Sequence, residues 1–137
     1  LSSAGMWLDS GAVSKRARNF TEKLSIKTPS IEQKTKNLSG GNQQKIVLAK
    51  WLSRDMEVYI FDEPTRGVDV GAKEEIRKLI IELAAAGKAI ILISSEIPEI
   101  LTLSDRVLVM HNGSITADIP VTKATQEKLL RSSMGEA

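Results

Sequence analysis

Hydrophobic and polar residues alternate in blocks along the chain, and the blocks predict regular elements. Apolar residues recur at steps of three and four over residues 12–24, which predicts a first helix. The polar stretch 26–37 carries Pro29 and predicts a loop. A second helix is expected over about 41–53, with an apolar stripe facing the core. The stripe comprises Ile46, Val47, Ala49, Trp51 and Leu52, with the stem of Lys50.

Two continuous apolar runs, VYIF at 58–61 and AIILI at 89–93, are typical of strands buried on both faces. Between them, residues 71–86 are amphipathic and predict a helix that ends at Gly87. This strand–helix–strand order predicts an α/β fold with a mostly parallel sheet. The inward residues of the intervening helix are Ile76, Leu79, Ile80 and Leu83.

The C-terminal third predicts three further elements. The segment SSEIPEILTLS, 94–104, predicts a short helix with a serine cap and Pro98 in its first turn. The runs RVLVM, 106–110, and SITADI, 114–119, flank the turn HNG and predict a hairpin. Thr125 is expected to cap a last helix.

Composition narrows the function classes. The chain has 137 residues, of which 42% are hydrophobic and 26% charged, as in soluble globular proteins. No apolar run approaches the roughly 20 residues of a membrane span, so a membrane role would require a partner. The chain has no cysteine, which excludes disulfides and thiolate metal sites.

Charge is distributed unevenly between the two parts of the chain. Residues 1–55 carry ten Lys and Arg against four Asp and Glu, whereas 56–137 carry nine against thirteen. The basic part fits either a face for nucleic acid or phosphate, or an ordinary solvated helical face. Aromatic residues make up 4% of the chain and give little support for stacking on single strands.

Two adjacent carboxylates, Asp62 and Glu63, follow the first predicted strand, and Ser94, Ser95 and Glu96 follow the second. Ligands of parallel sheets sit beyond the carboxyl ends of the strands, so both groups are expected at one edge. Mg²⁺ prefers oxygen ligands, and a glutamate can orient or deprotonate water. Alternatively, one acid caps the following loop and the other forms a surface ion pair.

The second helix opens with Ser39, Gly40 and Gly41. A helix start offers unpaired N–H groups and the positive end of the helix dipole. A serine hydroxyl can donate to a phosphate, and glycines allow the phosphate to approach the backbone. The alternative is an ordinary serine N-cap after a flexible loop.

Taken in order, LSGGNQQK at 38–45, VYIFDEPT at 58–65 and RGVDVGAK at 66–73 resemble the ABC-type ATPases. In that family the three segments would be the signature sequence, the Walker B strand and the D-loop. Two further segments, ISSEIPEIL at 93–101 and SDRVLVMHNG at 104–113, resemble bacterial sugar importers of the ribose, xylose and galactose type. The similarity is to the second nucleotide-binding domain of their fused ATPases.

The resemblance implies a partial P-loop NTPase core plus part of a helical subdomain. Residues 1–55 would belong to the helical subdomain, with the signature motif, and residues 56–137 would form the C-terminal half of the core. ATP and Mg²⁺ are the implied cofactors, with Asp62 in the metal shell and Glu63 as the catalytic base.

The resemblance also implies a divided nucleotide site. The signature residues would contact the γ-phosphate of an ATP held mainly by the opposite domain, and Asp69 would couple the two sites at the interface. The implied nucleotide-contacting residues are Ser39, Gly40, Gly41, Gln43 and Asp69.

The chain departs from the family pattern in two places. Ser95 stands where the family has its switch histidine, and His111, the only histidine, is interpreted as a turn residue. A serine can bond a γ-phosphate but carries no positive charge near neutral pH. The sequence also has no G-x-x-x-x-G-K-[ST], so the Walker A loop and the Q-loop are expected upstream of Leu1.

The implied function is that of an ATP-binding subunit that couples ATP hydrolysis to sugar import at the cytoplasmic face of the bacterial inner membrane. Its implied partners are the other nucleotide-binding domain, membrane permease subunits and, indirectly, a periplasmic sugar-binding protein, with no nucleic acid. One alternative is a non-catalytic module that completes a partner's site, which Ser95 favours. Another is a soluble ABC ATPase not involved in transport, which the basic N-terminal part permits.

Overall fold

The computed structural model describes residues 9–135, which form five α-helices and two separate two-stranded sheets. Every predicted helix and strand is present, with small differences at the ends. The helices are α1 (Ser10–Lys23), α2 (Gly40–Leu52), α3 (Val70–Ala85), α4 (Ile97–Leu103) and α5 (Gln126–Ser133). The strands are β1 (Val58–Asp62), β2 (Ala89–Ile93), β3 (Arg106–His111) and β4 (Ser114–Pro120).

The chain divides into two compact units. The first unit comprises Leu1–Met56 and Gly67–Ile76, and the second comprises Glu57–Arg66 and Arg77–Ala137. Helix α3 therefore contributes its first turns to one unit and its remainder to the other. Residues 1–8, part of the predicted helical subdomain, lie outside the described residues.

In the first unit, the buried face of α2 differs from the predicted stripe. Gly41, Lys45 and Leu48 are buried, whereas Val47 and Trp51 are 49% and 50% exposed. The prediction was wrong because hydrophobicity alone selected the face. A glycine and a lysine occupy the same face as Leu48, at steps of four and three residues, and these residue types carry no apolar signal.

In the second unit, β1 and β2 pair in parallel from Val58 opposite Ala89 to Asp62 opposite Ile93. Tyr59 and Phe61 are buried on one face, and their rings stack with centroids 6.1 Å apart. The prediction of burial on both faces is wrong for the described residues. The opposite face remains exposed, with Ile60 at 66%, because nothing between residues 9 and 135 covers it.

The predicted hairpin is confirmed as an antiparallel pair of β3 and β4. Asn112 and Gly113 both have positive φ, as a tight two-residue hairpin turn requires. Arg106 forms an ion pair with Asp118 across the strands. The hydrogen bond from Arg106 within this pair lowers the pKa of the Asp118 carboxyl. The hairpin packs on α5 around a cluster of Val107, Val109, Ile119 and Leu129.

Helix α5 begins as predicted, with the Thr125 hydroxyl accepting a hydrogen bond from the Lys128 amide at 3.2 Å.

Within residues 9–135, no helix combines the length and the apolar character needed to cross a membrane.

Two adjacent leucines of α5 test how the second unit is stabilised. Leu129 is 4% exposed and Leu130 is 41% exposed. Leu129→Ala should lower the free energy of unfolding by about 2–5 kcal/mol, because it leaves a cavity in the hairpin cluster. Leu130→Ala, the matched control, should cost less than about 1 kcal/mol. Urea denaturation measures both, and equal losses would contradict the assigned core.

Candidate functional site

The first cluster of candidate residues lies in the second unit, at the carboxyl ends of β1 and β2. The parallel register places the residues that follow these strands at one edge of the sheet. The Ser95 amide donates to Glu63 Oε1 at 2.9 Å, and the Glu63 amide donates to the Ile93 carbonyl at 2.9 Å. The structure therefore brings Glu63 and Ser95 into direct contact.

Glu63 has an unusual backbone conformation. Its φ of +46° lies in the left-handed region, which costs a non-glycine residue about 1–2 kcal/mol. Its side chain is half-buried and points to the start of the segment that leads into α4. Strained residues of this kind cluster at functional sites, so the conformation supports a role for the carboxylate.

Asp62 differs from its neighbour in being exposed. Among the described residues, no hydrogen bond or ion pair occupies its carboxylate, so the surface ion pair considered as the alternative is not seen there. No group of three or more potential metal ligands occurs between residues 9 and 135. Mg²⁺ needs only one or two protein carboxylates when phosphates and water complete its shell, so a lone exposed Asp62 fits that role.

Serines near α4 do not act as the sequence predicted. Helix α4 begins after Glu96, which is its N-cap residue, so the predicted serine cap is wrong. Ser94 Oγ instead accepts a hydrogen bond from the amide of Glu96, the N-cap residue, at 3.0 Å. The Ser94 hydroxyl therefore bonds a backbone amide just before the first turn of the helix, and such local bonds compete with capping.

The second cluster surrounds the start of α2, in the first unit. Ser39 is the N-cap residue, but within the described part of the chain its side chain makes no capping hydrogen bond. Its Oγ accepts from Asn42 Nδ2 at 2.9 Å, and Gln43 Nε2 donates to the Leu38 carbonyl at 2.8 Å. Within residues 9–135, Ser39 is thus not an ordinary side-chain cap, and its hydroxyl does not occupy the first-turn N–H groups of α2.

The two glycines of this motif have different surroundings. A Cβ added to Gly41 would lie 2.9 Å from Ala72 Cβ and 3.2 Å from Asp69 Oδ2. A Cβ added to Gly40 would meet nothing closer than the Gly67 carbonyl oxygen at 3.7 Å. Close packing against the start of α3 therefore explains Gly41, while the exposed Gly40 remains a candidate for ligand approach.

Asp69 has a local role at the start of α3. Its Oδ1 accepts a hydrogen bond from the Ala72 amide at 3.0 Å, as an N-cap aspartate does. The residue is exposed and lies beside Gly41, so the structure brings it together with the signature residues of α2.

Sequence reasoning missed the buried Lys45 at the end of the signature motif. Its Nζ donates to the Ser25 carbonyl at 3.1 Å and forms an ion pair with Glu75. This lysine joins α2 both to the chain that follows α1 and to α3. Its position four residues after Gly41, on the same helix face, was the available signal.

His111 forms hydrogen bonds with the end of α5 and with its neighbour Asn112, and neither partner belongs to a cluster of candidate residues. Its Nδ1 is 2.8 Å from the Ser133 carbonyl, so the ring donates to the end of α5. Asn112 Nδ2 lies 3.0 Å from the other ring nitrogen. The histidine thus holds the hairpin turn to α5.

A largely apolar cavity of about 710 Å³ lies in the first unit, between α1, the following loop and α2. None of the predicted site residues lines it. Its volume is therefore no argument for a nucleotide pocket.

The sequence is similar to those of known proteins. The ABC transporter family model matches residues 5–66. The chain is 52% identical over 128 residues to the xylose import ATP-binding protein XylG of Thermoanaerobacter pseudethanolicus, which covers 93% of this chain and 25% of the relative. It is also 52% identical over 128 residues to the ribose import ATP-binding protein RbsA of Clostridium perfringens, covering 93% and 26%.

The fold is likewise that of an ABC cassette. A dimeric, post-hydrolysis structure of the ATP-binding cassette MJ0796, bound to ADP and Pi, superposes with a TM-score of 0.74 at 22% identity. That match covers 84% of this chain and 50% of the cassette. The chain is similar to the ATP-binding proteins of the ABC transporter family. The two relatives named above are sugar-import proteins, and the chain spans about a quarter of their length.

The unequal surroundings of the two glycines lead to a matched test. Gly41→Ala should lower the free energy of unfolding by about 1–3 kcal/mol, because its methyl group overlaps Ala72. Gly40→Ala, one residue earlier in the same helix, should not lower the stability, because the added methyl group makes only an ordinary contact, 3.7 Å from the Gly67 carbonyl oxygen. Urea denaturation of both variants decides the matter: equal stability would show that Gly41 is not a packing glycine.

Proposed function

We propose that this chain is part of the ATP-binding subunit of a bacterial sugar importer, at the cytoplasmic face of the inner membrane. The contact between Glu63 and Ser95 is the observation that carries the proposal, because it supports a defined position for the carboxylate that the resemblance implies as the base. High identity to sugar-import ATP-binding proteins over nearly the whole chain supports the transport role. Nothing in the comparisons favours a non-catalytic module or a soluble ATPase unconnected with transport.

Bound Mg-ATP would supply a phosphoryl group whose transfer to water requires positioning and charge neutralisation. Asp62 would hold Mg²⁺ through its exposed carboxylate. Glu63 would orient the attacking water and take its proton at Oε2, since Oε1 is already bonded to the Ser95 amide. The Ser95 side chain would contribute a neutral hydroxyl where related cassettes have a histidine.

The signature residues would act on a second nucleotide. The Ser39 hydroxyl and the N–H groups at the start of α2 would bind the γ-phosphate of an ATP held by the opposite nucleotide-binding domain. Gln43, bonded to the Leu38 carbonyl, would fix the shape of that segment, and Asp69 would couple the two sites. The dimeric arrangement of the MJ0796 cassette supports such a division.

This proposal assigns domains and partners to the chain. Residues 1–55 would belong to the helical subdomain and residues 56–137 to the catalytic core. Membrane permease subunits would receive the conformational change, and a periplasmic sugar-binding protein would deliver the sugar. The phosphate loop would be supplied by a segment other than these 137 residues, which contain no G-x-x-x-x-G-K-[ST].

Glu63→Gln in the full-length ATP-binding protein tests the proposed base. The amide keeps the shape of the side chain and cannot accept the proton, so turnover should fall by about 100-fold or more while Mg-ATP affinity is retained. The matched control is Glu82→Gln on the exposed side of α3, which should leave both unchanged. Steady-state hydrolysis and calorimetry measure the two quantities, and unchanged turnover in Glu63→Gln would remove Glu63 from this role.

The isolated 137-residue chain tests the assignment of the phosphate loop. Titrated with Mg-ATP in a calorimeter, it should show neither tight binding nor turnover, because its sequence lacks G-x-x-x-x-G-K-[ST]. A longer version that extends upstream through the phosphate loop should bind. Steady hydrolysis by the pure 137-residue chain would overturn the proposal that the loop lies elsewhere.

A further inference from the structure

Glu99 of α4 is a fully buried carboxylate, with 0% of its surface exposed. A buried charge is costly unless hydrogen bonds and an opposite charge compensate it. Both of its oxygens are engaged: Oε2 accepts from Thr65 Oγ1 at 3.1 Å and Oε1 accepts from Arg77 Nε at 3.4 Å. One carboxylate therefore ties α4 to α3 and to the loop that follows β1.

Thr65 is the point at which this loop is anchored. It is 1% exposed and follows the buried Pro64, whose ring restricts the backbone. The Arg66 amide donates to the Glu63 carbonyl at 3.2 Å, which closes a tight turn around these residues. A glutamate keeps a left-handed backbone only where its surroundings hold it there. The buried Thr65, two residues after Glu63, is part of those surroundings.

The anchor on the other side is the segment that leads into α4. Ser95, four residues before Glu99, donates its amide to the Glu63 carboxylate. The Glu99 amide donates to the Glu96 carbonyl at 2.9 Å, which closes a turn that begins directly after Ser95. Two hydrogen bonds, Glu63 with Ser95 and Thr65 with Glu99, thus close a ring between the loop and the start of α4.

We propose that Thr65 and Glu99 are positioning residues that hold the Glu63 carboxylate against the Ser95 amide. The hydrogen bond between Thr65 and Glu99 holds the buried side of the ring in place, and Arg77 neutralises the charge of Glu99. Neither residue needs to touch nucleotide. The inference rests on the proposed function for its catalytic meaning, whereas the locking itself can be measured without any turnover.

The structural consequence is tested first, by hydrogen exchange at the Ser95 amide in the full-length protein. Thr65→Val removes the hydroxyl and keeps the shape of the side chain, so exchange at Ser95 should become about tenfold faster. Thr65→Ser keeps the hydroxyl and should exchange like the wild type. Thr102→Val is the matched control, because it removes a hydroxyl of α4 that bonds the Pro98 carbonyl. Exchange at the Ser95 amide should be unchanged in this variant.

The catalytic consequence is tested by steady-state kinetics of the same variants. Thr65→Val should lower kcat for ATP by about tenfold and change KM by less than about twofold, because it displaces the base without altering nucleotide contacts. Thr65→Ser should restore kcat. The split between kcat and KM, with rescue by serine, is a result that a purely structural residue does not produce.

Each outcome decides one question. Ser95 exchange that is unaffected by Thr65→Val overturns the positioning role, whatever the protein's activity. Loss of kcat in Thr65→Val and Thr65→Ser alike, with a lowered thermal midpoint in both, also overturns it in favour of simple destabilisation. If Ser95 exchange rises as expected while Glu63→Gln turns over normally, the lock is real and the proposed function of Glu63 is the part that fails.

Discussion

Parallel pairing of β1 with β2 is the constraint on which the carboxylate cluster depends. The pairing sets Asp62 opposite Ile93, and it is extended by the bond from the Glu63 amide to the Ile93 carbonyl. A slip of one residue would turn every side chain of a strand to the opposite face. The buried, stacked rings of Tyr59 and Phe61 oppose such a slip, so packing on one face of the sheet determines the chemistry at its edge.

Local patterns predicted the elements of the fold but not what covers them. The Asn112-Gly113 turn and the Thr125 cap follow from residue types with strong local preferences, and both are present. The buried face of α2 was mispredicted because Lys45 is buried through an ion pair with a residue of α3. Burial of both sheet faces was mispredicted because an apolar run reports a preference for burial and not the presence of a covering layer.

The candidate site was found from motif spacing, and its supporting residues were not. Glu63 and Ser95 follow two predicted strands, so their meeting at one edge follows from the topology. The bond between Thr65 and Glu99 joins residues 34 positions apart, and nothing in their local sequence marks them as partners. Gly41 has a packing role that the sequence did not predict, because Ala72 approaches it closely, and its role as a phosphate contact stays a prediction.

Under the proposed function, stability and chemistry favour different residues at position 63, because the backbone of Glu63 is left-handed. Glycine or asparagine would adopt that φ at lower cost, and neither carries a carboxylate. Selection for stability alone would therefore favour replacement of the glutamate at position 63. Persistence of glutamate at such a position in other sequences would record selection for the reaction, since stability gives no reason to keep it.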